Sequence, residues 1–427
     1  MTTFTIISTG SDHTLSDSEK MAGLLREAKF EWVNDLESAD IVIFNSCATK
    51  ELSESLLFLP LEKVRTEYPH KMIIIAGCIP QADPTNPKLK PYCLLGTRQI
   101  HKIVQVAEEA LNDNVLHLVE TEEMSSLNLP RVRRSSVMDI IPIGLGCPEV
   151  YASYKTKSTR LPLQSYQIAE IKKEVELAVK DGMREIYLTS EDTFCYGFDI
   201  GTDIVALLKE VVGIPGNFMI RMGTGNINHL SKIKDGLAEI YKHPKMFKFF
   251  HLPLQGGDNR TLAEMKYSYT VEDFVAAVHD FREAVPEITI TTDIIVGYPT
   301  ETDEQYLGTI NVIRKTTPDC VTISRFLPRS GTKDAKLPPL SDVIIVHRFK
   351  TLSDIVHNIS KMQNERWQDW QGEIIIDERG ELENQWVGHN FAYKPVMVEG
   401  NFTLGDVFTV RIVKTTAFDL KGEVLKK

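Results

Sequence analysis

Short, continuously apolar runs alternate with amphipathic stretches over the first third of the chain. Phe4–Ser8, Ile41–Phe44 and Met72–Ala76 are brief and rich in β-branched residues, which predicts strands buried on both faces of a parallel sheet. Glu19–Ala28 and Leu52–Tyr68 lie between them with helical periodicity. This βαβ alternation predicts a doubly wound α/β domain over residues 1–120. A polar, basic connector follows over 121–139; Arg131, Arg133 and Arg134 there read as a solvated linker more readily than as an RNA contact.

Alternation resumes over 140–370. Strands are expected at Glu185–Thr189, Phe218–Met222, Phe247–Leu252, Ile288–Ile295 and Val321–Arg325. Helices are expected between them, as at Ile168–Asp181, Asp203–Val212 and Val271–Val285, which predicts a full or partial TIM-type barrel. A long amphipathic helix should close this part over 341–370, near Trp367 and Trp370. Residues 371–427 break into β-type runs at Glu373–Ile376, Val396–Val398 and Val407–Val413, separated by Gly and Asn. That pattern predicts a small β-barrel, an architecture often used to hold RNA.

Composition narrows the class. At 427 residues the chain exceeds one ordinary core, and with 42% apolar and 25% charged residues it reads as globular. No apolar run reaches the roughly 18–20 residues that span a bilayer, and the first residues read as a strand rather than a leader, so a cytoplasmic location is expected. Six scattered cysteines do not suggest a disulfide framework. A net charge of −11 argues against a strong, sequence-indifferent nucleic-acid binder, though not against a local basic face.

Candidate chemistry gathers where strands end. In the first domain these positions are Ser11, Cys47 and Cys78, which plausible folding brings together; the alternative is that both cysteines are small buried hydrophobes. In the barrel they are Cys147, Glu191, Asp192, Arg221, Gln255, Asp293 and Gly297. Glu191 and Asp192 are adjacent and should point to opposite sides, which disfavours a joint acid/base role. Cys47, Cys78 and Cys147 lack the close spacing of a structural zinc module. The tail offers Tyr393, Lys394, Arg411, Lys414 and Lys421 to RNA, but it holds nine acidic and seven basic residues, so any grip on phosphates is local or the barrel faces a protein.

Seven segments carry a resemblance to a known family: Asp17–Leu25, Asn45–Thr49, Ala76–Gln81, His251–Gln255, Thr292–Thr302, Arg325–Thr332 and Tyr393–Val396. Together they resemble the radical-SAM methylthiotransferases over nearly the whole chain, and most closely the archaeal and eukaryotic branch that acts on threonylcarbamoyladenosine at tRNA position 37. The resemblance implies an auxiliary-cluster domain, a radical-SAM barrel and a C-terminal TRAM barrel that grips tRNA. It also implies a loop of the form Cys-x3-Cys-x2-Cys, whose three thiolates hold a [4Fe–4S] cluster and leave one iron for S-adenosylmethionine. This chain has Cys147, then Tyr151 and Tyr154, at those positions. The first auxiliary cysteine aligns with Ser11, while Cys47 and Cys78 match the other two.

The departures fall on the ligands rather than on the scaffold. A phenol with a pKa near 10 is a hard, bulky donor, poorly matched to an iron–sulfur edge. No cluster is therefore expected at the central site, where Tyr151 and Tyr154 should fill the vacated volume. S-adenosylmethionine, without its iron contacts, should bind weakly if at all. A residual cluster could be held by Cys47 and Cys78, with Ser11 as a third donor. The leading expectation is a pseudoenzyme: a non-catalytic tRNA-modification subunit paired with an active methylthiotransferase paralogue. An active enzyme with an atypical cluster set and a stand-alone tRNA-binding protein are the alternatives.

Overall fold

In the computed structural model, residues 1–47, 53–120, 125–148, 162–328 and 334–426 are described. They form two compact units. The first contains residues 1–134, 140–147 and 162–174, and the second 135–139, 148 and 175–426. Residues 140–147, expected at the start of the barrel domain, thus pack with the N-terminal unit.

The first unit is a six-stranded sheet of order β2-β1-β3-β4-β5-β6. Its elements run β1 (Thr3–Thr9), α1 (Asp12–Glu27), β2 (Glu31–Trp32), β3 (Ile41–Ser46), α2 (Ser53–Glu67), β4 (Met72–Gly77), α3 (Cys78–Ala82), β5 (Cys93–Leu95), α4 (Ile103–Leu111) and β6 (His117–Leu118). All pairings are parallel, and β3 is buried at every position, as its unbroken apolar run predicts. One apolar cluster forms under α1 and α4 on one face, and a second under α2 on the other.

Two expectations change here. The helix α1 begins at Asp12 rather than Glu19, because Ser11 adopts the extended backbone of an N-cap. The segment around Arg131 is not a solvated connector. Arg131 and Glu174 form a buried ion pair, the Val132 amide donates to the Glu19 carbonyl, and the Arg134 amide donates to Glu19 Oε1. The helix admits this segment closely at Gly23, where a Cβ would lie 2.2 Å from Pro130 backbone.

Strands β7 (Met138–Pro142), β8 (Gly144–Leu145) and β9 (Gln164–Ser165) and helix α5 (Ile168–Lys180) lie along the stretch where the units alternate in sequence. The second unit continues with β10 (Glu185–Thr189), α6 (Ile204–Val212), β11 (Met219–Met222), α7 (Ile227–Leu230), α8 (Lys234–Ile240), β12 (Phe249–His251), α9 (Asn259–Glu264), α10 (Val271–Ala284), β13 (Thr289–Val296), α11 (Asp303–Thr316) and β14 (Cys320–Arg325). Here β10 pairs with β11, and β12, β13 and β14 form a second parallel arc. A single bridge, Ile220 to Met246, joins the arcs, giving a partial barrel.

The helix α12 (Asp342–Glu365) leads into β15 (Gln371–Arg379), β16 (Gln385–His389), β17 (Pro395–Glu399), β18 (Val407–Thr415) and β19 (Leu420–Lys426). These five strands close into a barrel of order β15-β16-β17-β19-β18. Its core is Trp367, Trp386, Phe402, Phe408 and the inward aliphatics of each strand. Among the described residues no helix is long and apolar enough to cross a membrane.

Candidate functional site

The strand ends of the first unit do converge. Register aligns Thr9 with Ser46 and Ser46 with Gly77, so Ser11, Cys47 and Cys78 follow three neighbouring strands within two residues of that line. Two glycines let the ends close up. A Cβ on Gly10 (φ +132°) would lie 2.1 Å from Cys47 Cβ, and one on Gly77 (φ +97°) would lie 2.3 Å from the Ser46 carbonyl oxygen. Asn45 secures the end of β3 by donating to the Thr14 carbonyl at 2.9 Å and to Ser18 Oγ at 2.8 Å. Cys47 is buried and Cys78 half-buried, while Ser11 Oγ lies 3.3 Å from Thr14 Oγ1.

The segment that carries Cys147 packs in the same unit. His13 Nε2 donates to the Gly144 carbonyl at 3.1 Å, and burial pushes this imidazole down to about 4, so it is neutral at neutral pH. Ser16 Oγ donates to the Ile140 carbonyl at 3.0 Å. Tyr151 and Tyr154, expected to fill the place of a cluster, lie outside the described residues.

At the carboxyl ends of the barrel strands the expected residues separate into different roles. Glu191 is exposed and Asp192 buried, as alternation requires. Asp192 is held by its surroundings. Its Oδ1 accepts from the Phe194 and Asn226 amides, each at 3.0 Å, and its Oδ2 lies 2.8 Å from His229 Nδ1. Gln255 takes φ +68°, donates its amide to the Asp293 carbonyl and accepts from the Ile295 amide. Asp293 faces His251: Oδ2 lies 3.1 Å from Nε2, and Nδ1 lies 2.8 Å from Thr224 Oγ1. This hydroxyl–imidazole–carboxylate chain is half-buried and can orient a polar ligand. Thr224 and His251 escaped the sequence reading, although His251 opens the same five-residue motif that singled out Gln255.

Two residues expected at the cofactor have close protein neighbours in the structure. Gly297 is a turn glycine at φ +87°, and the space beside it is taken by Ile345 of α12, 2.9 Å from where its Cβ would stand. Arg221 packs among aromatic rings. Its guanidinium sits 4.4 Å from the Tyr187 ring, 5.0 Å from Phe249 and 4.6 Å from Tyr393, and donates to the Tyr393 hydroxyl at 3.3 Å.

Tyr393 and Lys394, expected to contact RNA, are likewise engaged by protein groups. Tyr393 is packed between the Arg221 guanidinium and the His389 ring, which stacks on it at 4.1 Å. Lys394 is 5% exposed; its ammonium donates to Asp319 Oδ1 at 2.8 Å and Asn364 Oδ1 at 3.0 Å. Both fasten the C-terminal barrel to the α/β strands. Arg411, Lys414 and Lys421 remain on the outside, on the hairpin of β18 and β19. Arg411 pairs with Glu423 at 3.0 Å, whereas Lys414 and Lys421 are register partners whose like charges invite an anion.

The donor sets can be weighed against an iron–sulfur cluster. Ser11, Cys47 and Cys78 offer two thiols and a hydroxyl on adjacent strand ends, which fits a cluster with one oxygen ligand. The central loop offers one thiol and two phenols, which does not fit.

Three sequence families match in succession: Uncharacterized protein family UPF0004 over residues 3–92, the Radical SAM superfamily over 147–313 and the TRAM domain over 372–425. A protein of Pyrococcus abyssi described as a probable threonylcarbamoyladenosine tRNA methylthiotransferase is 35% identical over 422 residues, covering 97% of this chain and 98% of its own. The human threonylcarbamoyladenosine tRNA methylthiotransferase is 33% identical over 423 residues, covering 97% of this chain and 72% of its own. In fold alone, the chain is similar to the cobalamin-dependent S-adenosylmethionine radical enzyme OxsB (TM-score 0.53, 11% identity, 83% of this chain and 56% of that one). It is likewise similar to the radical S-adenosylmethionine methyltransferase TsrM of Kitasatospora setae (TM-score 0.51, 13% identity, 77% and 76%).

Proposed function

This chain belongs to the threonylcarbamoyladenosine tRNA methylthiotransferase family, and on that premise we propose that it has kept the family's architecture while losing its radical step. One observation carries the reading. Of the three positions that should supply thiolates to the central cluster, only Cys147 is a cysteine, and Tyr151 and Tyr154 replace the others. One thiolate cannot hold three irons, so no electron reaches S-adenosylmethionine and no C–H bond is activated. The family models still match along the chain, over residues 3–92, 147–313 and 372–425. Such a protein serves best as a non-catalytic subunit that binds tRNA or steadies an active, cluster-bearing paralogue.

The test is anaerobic reconstitution followed by iron and acid-labile sulfide analysis and a thiomethylation assay on tRNA bearing threonylcarbamoyladenosine. The expected result is no activity for the chain alone, and its co-purification with an active methylthiotransferase. Thiomethylation by the purified chain alone overturns the reading.

A second reading has one observation in its favour. Cys47 and Cys78 sit on adjacent strand ends, and the Cys147 segment packs in the same unit. An enzyme with an atypical cluster on these cysteines would show about four irons per chain, lost on Cys47→Ser, together with activity.

A further inference from the structure

Away from both strand-end sites, three ligand-type side chains meet where the C-terminal barrel packs on the start of β10. Glu185 opens β10, Asp377 lies on β15 and His389 ends β16. One ligand atom from each lies within 4.8 Å of the other two.

Three features set this cluster apart from a structural ion pair. First, Glu185 is 1% exposed, yet neither carboxylate oxygen has a hydrogen-bond partner. A carboxylate in that position is costly unless it is paired, protonated or bound to a metal. Second, Asp377 Oδ2 engages His389 Nδ1, but Asp377 Oδ1 is also buried without a partner. Third, Asp377 sits where the ladder between β15 and β16 slips, between Ile376 and Glu378. The bulge there leaves Asp377 without a ladder partner, and bulges are over-represented beside functional sites.

Burial pushes the Glu185 carboxyl up to about 7, with Asp377 reinforcing the rise and His389 and Arg221 opposing it. Arg221 is a competing cation. Its guanidinium is engaged with three aromatic rings and the Tyr393 hydroxyl. The His389 ring is held in orientation by its stack on Tyr393, 4.1 Å away and 9° from parallel.

The geometry points to a divalent transition-metal site formed by Glu185, Asp377 and His389 that pins the C-terminal barrel to the α/β strands. The donor set is one imidazole and two carboxylates, which suits Zn²⁺. Ca²⁺ would ask for six to eight oxygens, more than these side chains offer. Two buried carboxylates answer the ion's charge, and the ion satisfies the oxygens the protein leaves unpaired.

The experiment uses the full chain, stripped with a chelator, in a Cys47→Ser/Cys78→Ser background so that strand-end thiols do not compete. Zn²⁺ binding is measured by equilibrium dialysis, and Co²⁺ is used as a spectroscopic probe. The expected result is one tight Zn²⁺ per chain, a Co²⁺ spectrum without a thiolate charge-transfer band, and a Tm raised by Zn²⁺. Glu185→Gln should weaken binding at least about tenfold and abolish the Tm rise. Gln fills the same volume without charge, so the variant should fold; His389→Gln is the second test if it does not. Zn²⁺ uptake that disappears with the cysteines, or survives Glu185→Gln and His389→Gln undiminished, overturns the assignment. Neither result depends on iron content or on radical chemistry.

Discussion

Replacing Lys394 by methionine distinguishes an RNA contact from a structural bolt. Its ammonium bridges Asp319 Oδ1 and Asn364 Oδ1 at 2.8 and 3.0 Å, in a place where both charged groups are buried. Removing one partner of a buried ion pair typically costs about 3–5 kcal/mol, because the other charge is stranded. Here Asp319 keeps two supports on Oδ2: the Ile290 amide at 3.0 Å and the Arg282 guanidinium at 3.7 Å. The lower end therefore applies, about 3 kcal/mol, and Tm should fall by roughly 6 °C at ~2 °C per kcal/mol for a unit of this size. Urea unfolding followed by tryptophan fluorescence reads this well, since Trp367, Trp370 and Trp386 all lie in or against the C-terminal barrel. The Lys394→Met/Asp319→Asn double variant should recover part of the loss, which a cycle of the two singles would measure. Stability within ~0.5 kcal/mol of the parent, accompanied by weaker tRNA binding, would refute the argument and return Lys394 to the RNA surface.

Three further outcomes follow from the same geometry. Asp17 is buried on α1, and desolvation raises its carboxyl to about 7 against the pull of Lys20. The folded value lies above the unfolded one, so its stabilising contribution is complete below about pH 4 and is lost as pH rises through about 7. Asp17→Asn should therefore flatten the profile of Tm against pH over that window and exceed the parent's Tm at pH 8. Changing both Lys414 and Lys421 to Glu should weaken tRNA binding and lower the slope of log K against log salt by about 2, one for each lysine; an unchanged slope places the RNA face elsewhere. Gly10→Val forces a side chain into Cys47 at a positive φ, and should destabilise the first unit by at least about 2 kcal/mol, read as lost cooperativity in its thermal unfolding.

The sequence by itself determined the elements and the substitution of two thiols in the central motif. Parallel strands buried on both faces leave continuous apolar runs, so β1, β3, β4 and β10 were legible within two residues at each end. A missing thiol is likewise a local fact, and Tyr151 and Tyr154 declare it without any structure. Only the tertiary structure decided what the polar residues are for. Lys394, Tyr393 and Arg221 have the composition of an RNA or cofactor surface, yet long-range packing buries Lys394 and sets the Arg221 guanidinium over the Tyr393 ring. Arg131 looks like part of a solvated linker until Glu174 meets it. Asp377 and His389 lie twelve residues apart on the hairpin of β15 and β16, but Glu185 is remote in sequence and only the fold brings it to them. Apolar periodicity is written residue by residue, because each side chain answers to solvent or core. The partner of a charge is chosen by the fold, since electrostatic and hydrogen-bond pairing requires proximity in space and not in sequence.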